Sequence, residues 1–202
     1  MTLNMIHRSL AGILVAFVVA HMANHALILG GIERHLAGMD ALRKLYRING
    51  VEHVLIAAFV CQIAIGLTLL WRSPKRPGRW GRAQRWSGLI LAVFLLQHIG
   101  AAVMTRVVYP EVDTNSYWAA SVVQNSPFVW YFAPYYVALV GAMFVHVAAF
   151  VRFRPWGRRL AFPLAIGGIM FGALIVAGLM GAFGEVILPP QYQAYIDTYW
   201  QF

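Results

Sequence analysis

The sequence predicts an all-α integral membrane protein, built as a single antiparallel bundle of five transmembrane helices. Three observations carry this prediction. The 202 residues are 60% hydrophobic and only 11% charged, which is far too apolar for a soluble domain of this length. Five apolar runs each reach the length of about 20 residues that a membrane-spanning helix needs. The charged residues are concentrated in the segments between those runs.

The five apolar runs cover nearly the whole chain, which we therefore take as one domain, residues 1–202. The first run begins close to the N-terminus, follows a single arginine and has no small-residue cleavage site after it. We therefore expect a retained helix and not a signal peptide. In chain order, the predicted spans are about residues 10–29, 51–70, 86–108, 128–151 and 160–183.

The basic residues are distributed unevenly between the two sides of the predicted bundle. Eleven of the 16 precede the first span or fill the second-to-third and fourth-to-fifth links, all on one side. The positive-inside rule places that side and the N-terminus in the cytoplasm, and the C-terminus outside. We expect the inner membrane of a bacterium. These charges either set the membrane topology and contact lipid phosphates, or form a docking surface for a cytoplasmic partner. Their distribution does not indicate binding of nucleic acid.

The segments on the outer side have a different character. Residues 31–50 combine mixed charges with apolar residues at helical spacing, which predicts an amphipathic helix on the membrane surface, with His35 solvated. Residues 109–127 and the tail from residue 188 onward are rich in tyrosine and tryptophan. Such residues are typical of the headgroup level of a membrane.

Two histidines lie at one depth in the predicted bundle. His21 follows Arg8 by 13 residues, and His98 follows Arg85 by 13 residues. At 1.5 Å per residue, both lie about 20 Å from the level of the arginines. Two intramembrane imidazoles at equal depth on two helices match the axial ligands of a six-coordinate haem iron. The alternative is that each ring bonds a serine or a carbonyl group of a neighbouring helix.

The third predicted span, "QRWSGLILAVFLLQH", is followed by an acidic loop ending in "NSPF" and by a helix that carries His146 before a basic link. The first span shows HR-x-x-x-G and then His21. This pattern resembles the cytochrome b membrane anchor of succinate dehydrogenase and fumarate reductase, of the single-polypeptide, five-helix type. In that family, four histidines on the first four helices ligate two haems b. The resemblance implies His21 with His98 for the outer haem and His146 for an inner haem.

The resemblance also implies partners and a substrate. A flavoprotein and an iron–sulfur protein would dock on the cytoplasmic side, and electrons would pass through haem b to or from a membrane quinone. Succinate chemistry would take place on the partners, because this chain has only 7 acidic residues and no soluble domain to hold a flavin. The chain would therefore be an electron-transferring, quinone-reactive subunit and not the catalyst of succinate oxidation.

The second predicted span departs from the family pattern. In "AFVCQIAIGLTLL", Gln62 occupies the site where the family has a histidine, and His53 lies near the outer end. His146 lies about 9 Å from the cytoplasmic boundary, too far from His53 to share one haem. The inner haem is therefore absent, or held by Gln62, Cys61 or Met170, or five-coordinate on His146. We expect one haem b, with a second as the alternative.

His25 follows His21 by one helical turn and replaces it as ligand if the register shifts. Otherwise Asn24 and His25 bond a haem propionate or a surface water.

Two further pairs have open assignments. His7 and Arg8 contact propionates of the inner haem or a quinone head, or they form a polar cap at the interface. Glu52 and His53 pass protons to or from a quinone, or the carboxylate favours the helix N-terminal dipole.

Three functions are compatible with the sequence. The first is the quinone-reactive haem anchor described above. The second is a haem-binding membrane anchor or sensor module of a signalling protein that uses the same bundle. The third is a haem-free bundle whose histidines form a proton relay.

Overall fold

The computed structural model describes residues 2–48 and 50–198, and every regular element within these ranges is a helix. Five of the helices are long and apolar enough to cross a membrane, namely α1, α3, α4, α6 and α7. The prediction of an all-α chain with five helices long and apolar enough to span a membrane is thus confirmed, and we call these five the spanning helices. The elements are α1 Leu3–Ala26, α2 Ile32–Tyr46, α3 Val51–Arg72, α4 Gly78–Val108, α5 Ser116–Gln124, α6 Val129–Arg152, α7 Ala161–Leu179 and α8 Pro190–Asp197.

Two spanning helices begin well before the predicted apolar runs. α1 starts at Leu3, where the Thr2 hydroxyl accepts a hydrogen bond from the backbone N–H of Met5 at 3.3 Å. α4 starts at Gly78, directly after Pro77. Hydropathy detects only the apolar part of a helix, whereas the backbone hydrogen bonds continue through the polar turns at its end. The first turns of α4 therefore carry arginines that the apolar pattern assigns to a link.

α6 and α7 form the most closely packed pair of helices in the bundle. Gly168 of α7 lies so close to Phe144 that a Cβ on this glycine would overlap the phenylalanine side chain. A Cβ on Gly172 would meet backbone atoms of Val137 at 3.1 Å. Small residues at a helix–helix contact allow this kind of close approach within a membrane. We call this contact the α6/α7 seam.

The other three spanning helices are packed less closely. α1 packs on α3, α3 packs on α4, and α4 packs on α6. Within the described ranges, α1 makes no extensive contact with α4 or α6. The buried share of the spanning segment is 17% in α1, 6% in α3 and 11% in α4, against 39% in both α6 and α7. α1, α3 and α4 are thus much less covered by protein atoms than α6 and α7.

The short helices α2, α5 and α8 form a layer at one end of the bundle, which we call the loop end. Its apolar core includes Ile28, Val123 and Ile196, all almost fully buried. The Arg43 guanidinium of α2 donates to the Asp113 carboxylate at 2.6 Å and to the Thr114 carbonyl at 2.9 Å. The opposite end, which we call the basic end, carries the α3–α4 and α6–α7 links.

The surface helix predicted within residues 31–50 is present as α2, but its inner face is packed against the bundle. His35 is only 3% exposed, so the expectation that it is solvated is wrong. The chain reverses at Gly31, whose φ of 97° is accessible to glycine at little cost. This reversal turns one face of α2 inward. The last residues of the aromatic tail, 199–202, lie outside the described part of the chain.

Candidate functional site

Four histidines from three helices meet near the loop end, and we call them the loop-end cluster: His21 and His25 of α1, His35 of α2 and His98 of α4. The ring centres of His21 and His98 are 6.2 Å apart, with 61° between the ring planes. The Nε2 atoms of His21 and His25 are 3.2 Å apart. The ring centres of His25 and His35 are 5.0 Å apart. The predicted pair, His21 and His98, is therefore brought together.

Local features of the chain position three of the four rings in the loop-end cluster. His21 and His25 lie one turn apart on the same face of α1. His35 reaches them because of the reversal at Gly31. The Ser116 hydroxyl at the start of α5 lies 2.9 Å from His35 Nδ1 and holds the ring from the other side. Burial lowers the pKa of His35 to about 4, so this ring is neutral at pH 7.

Several polar atoms in this region have no hydrogen-bond partner in the described part of the chain. They are buried, and they include His25 Nδ1, His35 Nε2 and Asn24 Oδ1. A buried polar atom without a partner costs about 1–3 kcal/mol. These three atoms could be satisfied by a partner outside the polypeptide, either a cofactor or water.

The geometry of His21 and His98 fits a shared haem iron. A metal–imidazole bond is about 2 Å long and the ring centre lies about 1 Å beyond the nitrogen, so trans rings have centres roughly 6 Å apart. The observed separation of 6.2 Å agrees with this. Both rings are only partly buried, and α1 makes no extensive contact with α4 within the described ranges.

His25 has a further relation to the same site. Its Nε2 lies 3.2 Å from His21 Nε2, so His21 could bind a metal through that nitrogen only if His25 turned away. Among the described residues, no group of three or more His, Cys, Asp or Glu side chains is arranged to hold a metal ion. A haem iron takes four of its bonds from the porphyrin, so the two imidazoles of His21 and His98 meet the requirement.

A second group of polar side chains lies toward the basic end, and we call it the basic-end cluster: His7, Gln62, Ser87 and His146. His7 Nε2 lies 3.4 Å from Gln62 Nε2. His146 Nδ1 lies 3.2 Å from the Ser87 hydroxyl and 3.2 Å from the Gln84 carbonyl. The sequence pattern indicates three of these members, His7, Gln62 and His146, but does not place His7 beside Gln62.

Glycines allow both rings of the basic-end cluster to approach their neighbours. A Cβ on Gly66 would meet Cε1 of His7 at 3.2 Å, and a Cβ on Gly88 would meet Cε1 of His146 at 3.1 Å. Gly12 of α1 is another small residue beside which a flat group or a helix could pack, but it is exposed. A Cβ on Gly12 would meet no neighbouring side chain or helix within 4 Å.

The remaining predicted site residues lie outside the two clusters. Cys61 is exposed and Met170 is 61% exposed, so both face away from the bundle interior and neither reaches an inner haem. Arg8 is exposed as well. Glu52 accepts a hydrogen bond from Arg106 at 2.7 Å. His53 is exposed, and its side chain has no hydrogen bond or ion pair within the described residues.

Two surface concavities are separate from the histidine clusters. One of about 610 Å³ lies between α5 and the segment after α7 and is lined by Gln124, Ser126 and Glu185. The other, of about 400 Å³, is apolar and is lined by Phe144, Trp156 and Gly167. Neither is lined by a histidine.

No protein-family model matches the chain, and no curated protein or solved structure matches it either.

Proposed function

We propose that this chain is a haem b-binding membrane subunit that transfers electrons between a cytoplasmic iron–sulfur partner and a membrane quinone. It would act as the membrane anchor of a succinate:quinone oxidoreductase. The observation that carries the proposal is the placement of His21 and His98, from two spanning helices, at the separation that one iron requires. The resemblance of the third span to that family supplies the substrate and partner classes.

When bound, haem supplies reversible one-electron chemistry at its iron. The chain's own residues would hold it and control its surroundings. His21 and His98 would hold the iron, and Phe17 stacks on the His21 ring with centres 5.6 Å apart, which limits its rotation. The apolar spanning helices would keep water away, so charges near the iron would be weakly screened. His25 would be free to donate to a polar group of the haem.

The basic end supports docking of an acidic cytoplasmic partner. The arginines and lysine of the α3–α4 link are mostly exposed, and so are three of the four arginines of the α6–α7 link. Two of these side chains lie over aromatic rings, Arg76 over Phe153 at 4.4 Å and Arg154 over Phe150 at 4.8 Å. The contact of Arg76 with Phe153 joins the two links, which together would form one positive surface that holds a partner protein at the membrane.

The proposal is tested by purifying the full chain from membranes under mild detergent conditions. We expect a b-type α band in the reduced-minus-oxidised spectrum, reduction of that haem by a quinol, and co-purification of a flavin-bearing partner. A haem-containing chain that co-purifies with a signalling domain and is not reduced by quinol would favour the sensor function instead. The complete lack of a b-type band would contradict both haem functions.

One observation favours a second candidate, a proton relay. His21 and His25 contact through Nε2 atoms, and His35 contacts Ser116 through Nδ1. The remaining nitrogens, His25 Nδ1 and His35 Nε2, belong to adjacent rings and have no partner among the described residues. A direct contact or one water between them would complete a path toward the loop end. Proton flux in haem-free vesicles, abolished by His35→Phe, would support this candidate.

A further inference from the structure

We propose that the α6/α7 seam holds one phospholipid with a negatively charged headgroup where it reaches the basic end. An acyl chain would lie in the apolar concavity of about 400 Å³ that Phe144, Trp156 and Gly167 line, which we call the seam groove. The phosphate would lie against Arg158 and Arg159 of the α6–α7 link. This inference goes beyond the proposed function and does not depend on haem.

The seam groove follows one face of α7. Five of its lining residues have the spacing i, i+3, i+4, i+7 and i+8, which defines one side of a helix: Leu160, Pro163, Leu164, Gly167 and Gly168. Phe144 and Val151, two turns apart on α6, form the other wall. From Leu160 to Gly168 the helix rises by about 12 Å. The groove therefore runs along the spanning helices, in the direction that an acyl chain takes in a bilayer.

The lining and depth of the groove fit a hydrocarbon chain better than a docked protein. Every residue in the lining is aliphatic, aromatic, proline or glycine. A Cβ on Gly167 would meet no neighbouring side chain or helix within 4 Å, so the groove is open at this residue. Gly167 follows Leu160 by seven residues, about 10 Å along the helix. A protein held on the link would not reach this far down a spanning helix, whereas a lipid chain does.

The link at the mouth of the groove is positive and has no counter-charge in the sequence around it. The basic end has eleven arginine and lysine residues, whereas all seven acidic residues of the chain lie at the loop end. Arg158 and Arg159 are exposed and make no hydrogen bond, ion pair or ring contact with any residue that the structure describes. They lie between Trp156 and Leu160, which both line the groove. Their charge is thus available to an anion whose apolar part enters the groove.

Two further features favour a lipid headgroup at this level. Trp156 is 65% exposed, and tryptophan is typical of the headgroup region of a membrane. α7 begins at Ala161, directly after the link, and has no acidic residue in its first turn. The positive end of the helix dipole therefore adds to the field of the two arginines.

The test measures the phospholipid that the full chain retains in mild detergent. The protein is loaded with equal amounts of phosphatidylglycerol, which is anionic, and phosphatidylcholine, which has no net charge, and native mass spectrometry counts the bound molecules. An arginine near an anionic headgroup contributes about fivefold, so two arginines should give a preference of roughly 25-fold for phosphatidylglycerol. Excess glycerol 3-phosphate, which has the anion but no acyl chain, should not displace the lipid.

Two sets of variants test the two parts of the site. Arg158→Gln combined with Arg159→Gln should bring the preference close to one. The matched control, Arg72→Gln combined with Arg79→Gln, removes the same charge at exposed positions near the α3–α4 link and should keep the preference. Gly167→Leu places a side chain in the open part of the groove and should lower retention of both lipids about tenfold, through the loss of about two methylene contacts.

The possible outcomes separate this inference from its alternatives. Equal retention of both lipids by the parent, or loss of the preference in the control pair, would overturn it. Unchanged retention in a Gly167→Leu protein that unfolds at the parent's temperature would also overturn it, and so would displacement by glycerol 3-phosphate. If the Arg158 and Arg159 pair of substitutions releases a co-purifying protein and leaves the bound lipid unchanged, the link is a protein-docking surface and the inference is wrong.

Discussion

The α6/α7 seam and the α1 side of the bundle have similar hydropathy but very different packing. Along the seam, glycines allow the helix backbones to approach until side chains and backbone atoms touch. On the α1 side, the spanning helices are much less buried, and the histidines that face the interior are only partly covered. Hydropathy therefore identifies a spanning helix but does not indicate what that helix packs against.

The two regions also differ in the polar groups they contain. α7 has no ionisable side chain in its length, and its seam with α6 is filled by aliphatic and aromatic groups. The α1 side carries His7, His21, His25 and His98, and two of them, His7 and His25, have a buried nitrogen without a partner among the described residues. Because buried polar atoms need partners, this side is the part of the bundle suited to a bound group.

The largest effect on stability is expected at the seam. Gly168→Ala forces a methyl group into Phe144 and should destabilise the protein by about 1–3 kcal/mol, the usual cost of overpacking. Gly167→Ala is the matched control, because a Cβ on Gly167 would meet no neighbouring side chain or helix within 4 Å. It should be neutral or stabilising by up to about 1 kcal/mol through helix propensity. Thermal unfolding in detergent measures both, and equal effects would contradict the close packing of the seam.

The next effect is expected in the loop-end layer. Arg43→Met removes the buried guanidinium that joins α2 to Asp113 and Thr114, and should cost about 2 kcal/mol. The loss should be local, so hydrogen exchange should rise in residues 109–116 and in α2 but not in α7. Arg34→Met, at an exposed position of the same helix, is the control. Unchanged exchange in Arg43→Met would show that this contact does not hold the layer.

A smaller effect is expected from protonation of His35. Its pKa is lowered to about 4 by burial, whereas an unfolded histidine titrates near 6.5. The unfolded chain therefore binds the proton first, and stability is complete above pH 6.5 and falls as the pH drops toward 4. At about pH 5.5 the loss should be about 1 kcal/mol. His35→Gln should remove this part of the acid sensitivity, and an unchanged pH profile in the variant would contradict the burial of His35.

The sequence is sufficient for the parts of the fold that depend on local composition. Hydropathy and helical periodicity predict the five spans and α2. The equal spacing of 13 residues from Arg8 to His21 and from Arg85 to His98 predicts that the two histidines lie at one depth. The burial of His35 is not predictable in this way, because it depends on the reversal at Gly31 and on Ser116, which is 81 residues away. The contact of His7 with Gln62 depends on how α1 and α3 are rotated about their axes, which periodicity does not determine.

The proposed ligation of one iron by His21 and His98 is tested most directly by the low-spin haem signal. The measurement compares three single variants, His21→Ala, His98→Ala and His25→Ala. If His21 and His98 ligate one iron, removing either imidazole should abolish that low-spin signal to the same extent. His25→Ala should largely retain it, because its ring lies about 6 Å further along α1 than His21. A His21→Ala protein whose low-spin spectrum and haem content match the parent would contradict the assignment of His21 as an iron ligand.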